Sequence, residues 1–477
     1  MELLLLILVP LAGAALALVL GGTAGRARLV GLGVAGATLL LSARVWQLYA
    51  ASSEVLRYAP GEGSTLPVLR LAADGLAVPL VALTALLAVI AVLASWSVTR
   101  AGIHVSLLLL LEAAVMAVFL ADDLLFFYVA WEAVLIPMFF LIGVWGHENR
   151  RYAAIKFFVY TFAGSALMLV GLVLLIVAQG GDTAMPMGSV LAGAQGRLAF
   201  WLLAAGFLVK VPVWPLHTWL PDAHVEAPTA GSVMLAGILL KMGAYGLIRI
   251  CLTATPEAFT LYAPALALLA IVGIVYGAAM ALGQSDLKRL VAYSSVAHMG
   301  FVLLGLATGS EIGLAGAMLG MVSHGIVSAL LFFLVGGLYE RAHTREMSAF
   351  GGLGQQLPKW ATVFVVASMA SLGLPGLSGF PGEFAAVIAG FSRWGWWLAV
   401  VGLGIVLAAA YSLRAVRVVV QGESRSAGPL SDLRVHEIAA VGPLVILTVL
   451  LGVRPSIITD VSAATLEALS FLLGPVK

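Results

Sequence analysis

Lys210 and Lys241 each stand in the middle of an apolar stretch long enough to cross a bilayer, in a chain that places almost no other charge inside such stretches. A lysine at the bilayer centre costs about 2.5 to 3.5 kcal/mol on insertion scales, so it persists where it has partners, water or a task. The task that suits a titratable amine at that depth is moving protons or cations. Four further groups join the two lysines. At about 1.5 Å of rise per helical residue, Lys210 lies ~20 Å past Arg197, Lys241 ~20 Å past Pro228, Glu132 ~14 Å past Asp123, His298 ~15 Å past Lys288 and His324 ~20 Å past Glu311. Glu383 stands beside a run rich in glycine and proline. Six titratable groups at one depth can form a polar row parallel to the membrane plane. Singly, His298 or His324 reads as a satisfied core histidine; the coincidence of all six reads as a relay.

Glu132 with Lys210 is the pair with the most chemical content. A desolvated lysine gives up its proton more readily, a nearby carboxylate opposes this, and such coupled groups titrate as a unit. Moving the glutamate would load or unload the lysine. The alternative is a static buried ion pair kept for helix packing. Lys156, within two turns of Arg150 and Arg151, reads as a lysine that snorkels to the interface.

These groups need a membrane scaffold to hold them, and the composition supplies one. Of 477 residues, 62% are hydrophobic and 10% charged, against roughly 25% charged in a soluble domain. The chain is therefore expected to be an all-α polytopic membrane protein. Net charge +2, with the basic residues spread over short loops, excludes a nucleic-acid partner. The single cysteine, Cys251, excludes an internal disulfide and a four-cysteine iron-sulfur site.

At about 20 residues per span, about fourteen helices are expected, near 2–20, 29–49, 75–98, 102–121, 124–145, 152–178, 198–217, 229–250, 259–283, 289–309, 312–339, 359–391, 396–420 and 437–453. The first is read as a span and not a secretory signal, because Arg26 and Arg28 follow it and only Glu2 precedes it. Arginine and lysine cluster after the odd-numbered spans, with Arg57, Arg70, Arg197 and Arg393 as exceptions, which places both termini outside. The segment from Ser456 to Leu473, with Asp460 and Glu467, reads as an interfacial helix.

Two spans are interrupted: the seventh by Pro212 and Pro215, the twelfth by the run from Gly373 to Glu383. Backbone freed by proline at membrane depth is tolerated only where protein or water satisfies it. Broken helices five spans apart predict two five-helix repeats, helices 4–8 and 9–13, inverted because five is odd. The divisions follow as a three-helix segment (1–100), repeats over 101–250 and 259–420, and a C-terminal helix with its tail (437–477). The alternative is prolines and glycines that only kink helices for packing.

Other signals carry less. Gly31-Leu-Gly-Val-Ala-Gly36 matches a dinucleotide pattern but has no preceding strand, so close helix packing explains it. His217 and His224 flank Asp222 without further clustered ligands, so no metal is expected. A bis-histidine haem between His298 and His324 ranks below a relay. With no Gly-Lys-Ser/Thr loop, ATP does not drive the chain.

Five stretches carry a resemblance: Trp131-Glu-Ala-Val-Leu-Ile-Pro-Met-Phe-Phe-Leu-Ile-Gly-Val-Trp-Gly146, the run from Lys210 to Gly231, Leu239-Leu-Lys-Met-Gly-Ala-Tyr-Gly246, Lys288-Arg-Leu-Val-Ala-Tyr-Ser-Ser-Val-Ala-His-Met-Gly300 and Gly373-Leu-Pro-Gly-Leu-Ser-Gly-Phe-Pro-Gly-Glu-Phe384. Over about residues 120 to 390 the chain resembles the proton-conducting, antiporter-like subunits of respiratory complex I, and within them the subunit M branch. The resemblance implies that Glu132 tunes Lys210, that Lys241 is the central lysine, and that His298 and His324 continue a hydrated axis to Glu383. Glutamate at that last position, where sister subunits and multisubunit sodium/proton antiporters carry lysine, is what points to M. It further implies redox-driven proton pumping with no cofactor on this chain, flavin and iron-sulfur clusters in partner subunits, other membrane-arm subunits including two sister subunits as partners, lipid contacts, and a bacterial plasma membrane. The rival expectations are a subunit of a multisubunit sodium/proton antiporter and a purely structural membrane subunit.

Overall fold

Long apolar runs cannot leave backbone amides unpaired in hydrocarbon, so they resolve into helices. The computed structural model describes residues 1–60, 68–423, 425, 428 and 430–473. In chain order the helices are α1 (Glu2–Leu20), α2 (Ala24–Ser52), α3 (Ala77–Leu93), α4 (Ala101–Leu120), α5 (Leu124–Ala133), α6 (Leu135–Trp145), α7 (Arg150–Ala178), α8 (Gly193–Lys210), α9 (Trp219–Glu226), α10 (Thr229–Met234), α11 (Leu240–Gly246), α12 (Pro256–Leu282), α13 (Leu287–Thr308), α14 (Glu311–Ala342), α15 (Leu353–Gln356), α16 (Pro358–Ser371), α17 (Gly379–Trp394), α18 (Val401–Val420), α19 (Val435–Val453) and α20 (Ser456–Leu472). Among the described residues, eleven helical segments are long and apolar enough to cross a membrane.

That number departs from the expected fourteen at definite places. α3 has 17 residues, shorter than a full span. The seventh expected span is α8 followed by α9, with 211–218 unwound between them. The twelfth is α16 followed by α17, with 372–378 between, and α17 runs on into α18 through the 3-10 turn Gly395–Val400. Both expected breaks are therefore present. The first is approached by α8 from the face where the chain begins, here the Met1 face, and the second by α16 from the opposite face.

Three local features depart from the sequence reading. The fifth span is interrupted at Val134, because Pro137 has no amide to give the Ala133 carbonyl. The eighth carries two π-helical turns, Leu235–Leu239 and Leu247–Leu252, on either side of α11. A short antiparallel hairpin, β1 (Leu56–Tyr58) with β2 (Leu71–Ala73), lies between α2 and α3. The expected interfacial segment is α20. It lies along the Met1 face, with Thr465 at Tyr49 and Gly75 and Leu473 against Gly309.

Helices in lipid gain little from burying apolar surface against each other, so they associate where small residues let backbones approach. α12 and α13 show this reciprocally. A Cβ on Gly277 would stand 2.7 Å from the Ala297 amide nitrogen, and one on Gly300 would stand 2.9 Å from the Ala270 carbonyl oxygen. Gly31, from the dinucleotide-like run, likewise abuts Val105 and Val92. Within the bundle α14 is almost wholly buried between α13 and α17. That places His324 against His298 and the second break. Gly277→Val forces α12 off α13. The expected cost is about 1 to 3 kcal/mol, read as a lower thermal midpoint of the purified assembly, whereas Gly402→Ala on an open surface of α18 should leave it unchanged.

Candidate functional site

α8 delivers Lys210 as its last residue. The helix stops there because Pro212 and Pro215 cannot continue it, and the Val209 carbonyl released at the stop is taken by the Trp219 indole, Nε1 to O 3.0 Å. A cation suits this position, since a helix ends on its negative pole. Lys210 is 1% exposed. Its Nζ makes no hydrogen bond to the protein and lies 5.4 and 5.6 Å from the ring centroids of Trp131 and Phe157. Glu132, at the kink between α5 and α6, is half-buried beside Ser165, and its Oε1 has no hydrogen-bond partner. The static Glu132–Lys210 ion pair, the alternative reading of the sequence, is not formed. The two act on each other through space. Equal depth fixes how high two groups stand in the membrane but not which way each points around its helix, and the Trp131 and Phe157 rings occupy the lysine's immediate surroundings.

The other four expected groups are brought together. Lys241 sits on α11 between the two π-helical turns, and its Nζ donates to the Ala236 carbonyl (2.5 Å), inside the first of them. A π turn disturbs the regular backbone pairing, and here the lysine's own ammonium supplies a donor. The same Nζ is 2.7 Å from His324 Nδ1. The His324 and His298 rings are 5.9 Å apart, and His298 Nδ1 is 2.7 Å from Glu383 Oε1. Glu383 lies one turn into α17, just past the second break. Ser378 ties that break down, its amide donating to the Thr448 carbonyl (2.8 Å). Around the histidines is a cavity of about 30 Å³ lined by Ser294, His298, Ser323, His324, Ser371 and Glu383. A water needs roughly 10 to 15 Å³, so the cavity can hold one. Side chains therefore run within contact from Lys241 to Glu383. Two residues from Lys241, Gly243 seats α11 on the end of α8, where a Cβ would stand 2.6 Å from the Phe207 carbonyl oxygen and 2.8 Å from Val211 Cγ2, and Gly246 lies against the Phe207 ring.

Two members of this cluster were not legible in the sequence. His298 Nε2 has Ser371 Oγ at 3.0 Å and the Tyr411 hydroxyl at 3.1 Å. Serine and tyrosine are ordinary in spans, and neither had a spacing signal. With both nitrogens of His298 engaged, it offers no ligand position to a haem. Among the described residues no group of three or more His, Cys, Asp or Glu could hold a metal. His217 packs on Tyr276, His224 stacks on Phe332 at 4.4 Å, and Asp222 is spent otherwise. Lys156 does not snorkel freely: its Nζ is 2.7 Å from Asp222 Oδ2, while Arg289 reaches Asp222 Oδ1 at 3.2 Å. In the loop after α6, burial together with the Lys288 and Arg345 charges holds His147 down to about 3, so it is neutral at physiological pH.

The family described as "NADH:quinone oxidoreductase/Mrp antiporter, TM" matches residues 121–408, a stretch that contains all six groups. The chain belongs to this family. It is 44% identical to NADH-quinone oxidoreductase subunit M of Rhodobacter capsulatus over 82% of this chain and 80% of that one. It is also 44% identical to subunit M of Pseudomonas aeruginosa, over 85% and 83%. Among solved structures it is similar to a chain of respiratory complex I from Thermus thermophilus with bound NADH, with TM-score 0.89, 30% identity and 100% of both chains covered.

Ser371 and Tyr411 back each other up at His298 Nε2. Ser371→Ala or Tyr411→Phe alone is expected to lower proton pumping less than about threefold. The double variant leaves a buried nitrogen unpartnered, at about 1 to 3 kcal/mol, and should lower pumping at least about tenfold. Simple multiplication of the two single effects would contradict this shared role.

Proposed function

We propose that the chain is a membrane-arm subunit of a proton-pumping NADH:quinone oxidoreductase, and that Glu132, Lys210, Lys241, His298, His324 and Glu383 carry the proton. The observation that bears most weight is the close succession of Lys241, His324, His298 and Glu383 at membrane depth: Lys241 Nζ lies 2.7 Å from His324 Nδ1, the two imidazole rings are 5.9 Å apart, and His298 Nδ1 lies 2.7 Å from Glu383 Oε1. Protons enter from the cytoplasmic face to Lys210, pass to Lys241, and leave near Glu383. The apolar contact of Gly243 and Gly246 with Phe207 and Val211 makes the Lys210–Lys241 step the one that requires water to enter, and so the natural point of control. Glu132 tunes Lys210 across space. Electron transfer, with its flavin and iron-sulfur clusters, belongs to partner subunits. Two sister antiporter-like subunits flank this one in the membrane arm, with lipids filling the remaining seams.

The basic residues at the face opposite Met1, among them Arg26, Arg28, Arg100, Arg150, Arg151, Lys288 and Arg289, support a cytoplasmic assignment for that face. Both termini then lie on the outer side of a bacterial plasma membrane. The repeats are assigned to 101–250 and 259–420, between a three-helix N-terminal segment and a C-terminal helix and tail, 437–477. Their inversion is supported by breaks approached from opposite faces.

The test uses the assembled complex in proteoliposomes. A positioned proton carrier is worth roughly 10² to 10⁴ in rate, so Lys241→Met and Lys210→Met are each expected to lower proton pumping at least ~10²-fold while the complex still assembles. Glu132→Gln should lower it less, because its effect on Lys210 is indirect. Pumping at the normal rate in Lys241→Met would overturn the proposal.

A further inference from the structure

The eighth span is held at its outer end by a buried ion pair that the proposed proton path does not use. Arg249, in the second π-helical turn, places NH2 2.7 Å from Asp74 Oδ1, with side chains 19% and 7% exposed. Its Nε donates to the Tyr245 hydroxyl at 3.1 Å, which donates to the Phe119 carbonyl at 2.9 Å. Asp74 also accepts from the amides of Leu76 and Ala77, so it caps α3 while gripping the arginine. Removing one partner of such a pair leaves the other charge buried and uncompensated. The ion pair therefore fixes where the end of this span sits relative to α3 and α4.

The next residue is where α20 attaches. The Gly75 amide donates to Thr465 Oγ1 at 3.0 Å, and the Gly75 carbonyl accepts from Ser462 Oγ at 2.8 Å. A Cβ on Gly75 would stand 2.5 Å from the Val461 carbonyl oxygen, so α20 rests directly on this peptide. At its far end Leu473 covers Gly309, where α13 ends and where Arg393 of α17 binds the carbonyls of Ala307 and Thr308. One surface helix thus touches the anchor of the span that bears Lys241 and the end of the helix that bears His298, the same end that Arg393 of α17 binds. Arg249 is about 12 Å along the helix from Lys241. The π turns at 235–239 and 247–252 on either side of α11 are the segments that can change register.

We propose that Arg249 is a positioning residue for Lys241, and that the seating of α20 on Gly75 sets that position through Asp74. The inference rests on the proposed role of Lys241. If α20 lifts, Asp74 moves, the π-helical end of the span relaxes, and the Lys241–His324 contact of 2.7 Å is lost.

The test compares Arg249→Met, Arg249→Lys, Asp74→Asn and the α20 double variant Ser462→Ala/Thr465→Val in the intact complex. Expected are an about tenfold fall in kcat for quinone reduction and in pumping for Arg249→Met, with KM for NADH and quinone unchanged, and partial rescue by Arg249→Lys. The α20 double variant should lower kcat about threefold, speed amide exchange at 247–252, and add nothing on top of Asp74→Asn. If Arg249→Met fails to assemble, the α20 variant decides, since it removes two hydroxyls and no charge. Unchanged kcat and exchange in that variant, or full additivity with Asp74→Asn, overturns the inference. Loss of pumping in Lys241→Met alongside normal α20 variants sinks this inference alone; normal pumping in Lys241→Met sinks the reading beneath it.

Discussion

Charge in hydrocarbon is the constraint on which this molecule is built. A cation or carboxylate at the bilayer centre is held only if something there answers its field, and the chain answers with the ends of helices. α8 stops at mid-membrane with its negative pole at Lys210, and α17 starts at mid-membrane one turn before Glu383, whose carboxylate meets His298. The unwound segments that make these poles available need their own backbone satisfied. The Trp219 indole does so at the first break and the Thr448 carbonyl at the second. The prolines, the capping groups and the titratable residues are therefore one arrangement, and none of them has a reason to be there without the others.

Between those ends the row is uneven. From Lys241 to Glu383 each group is near the next, and a small polar cavity lies alongside. Lys210 is different: it lies beside two aromatic rings, its Nζ has no hydrogen-bond partner, and α8 packs tightly on α11 through Gly243 and Gly246. A conductor continuous over half its length and interrupted once can be driven, because opening the interruption is a discrete event that neighbouring charges can bias. A row in contact throughout would leak.

The sequence showed the heights of the six groups, since hydropathy and helical rise are enough to place a residue along a span. It showed both breaks for the same reason, through proline and glycine at membrane depth. It could not show direction around a helix, which is why the sequence did not decide between a coupled Glu132–Lys210 pair and a static ion pair. The π turns beside Lys241 had no signature in residue type, because a run such as Leu235-Ala-Gly-Ile-Leu239 is equally compatible with an ordinary helix. Ser371 and Tyr411 were invisible because only tertiary packing brings α16 and α18 to His298. The partner that Lys156 reaches at the rim was not legible, because Asp222 lies 66 residues away, on the short helix that follows the break in the seventh span.

That aspartate deserves a mechanical reading. It takes a lysine from α7 and an arginine from α13, so a single carboxylate stitches these two helices together at one rim of the bundle. At the other rim α20 ties Gly75, ahead of α3, to α14 and to the end of α13. A structure fastened along its two edges behaves like a drumhead: the rims stay put and compliance is concentrated in the middle layer. Any deformation that reaches this chain from a neighbour is thereby funnelled to the depth where the wettable gap lies.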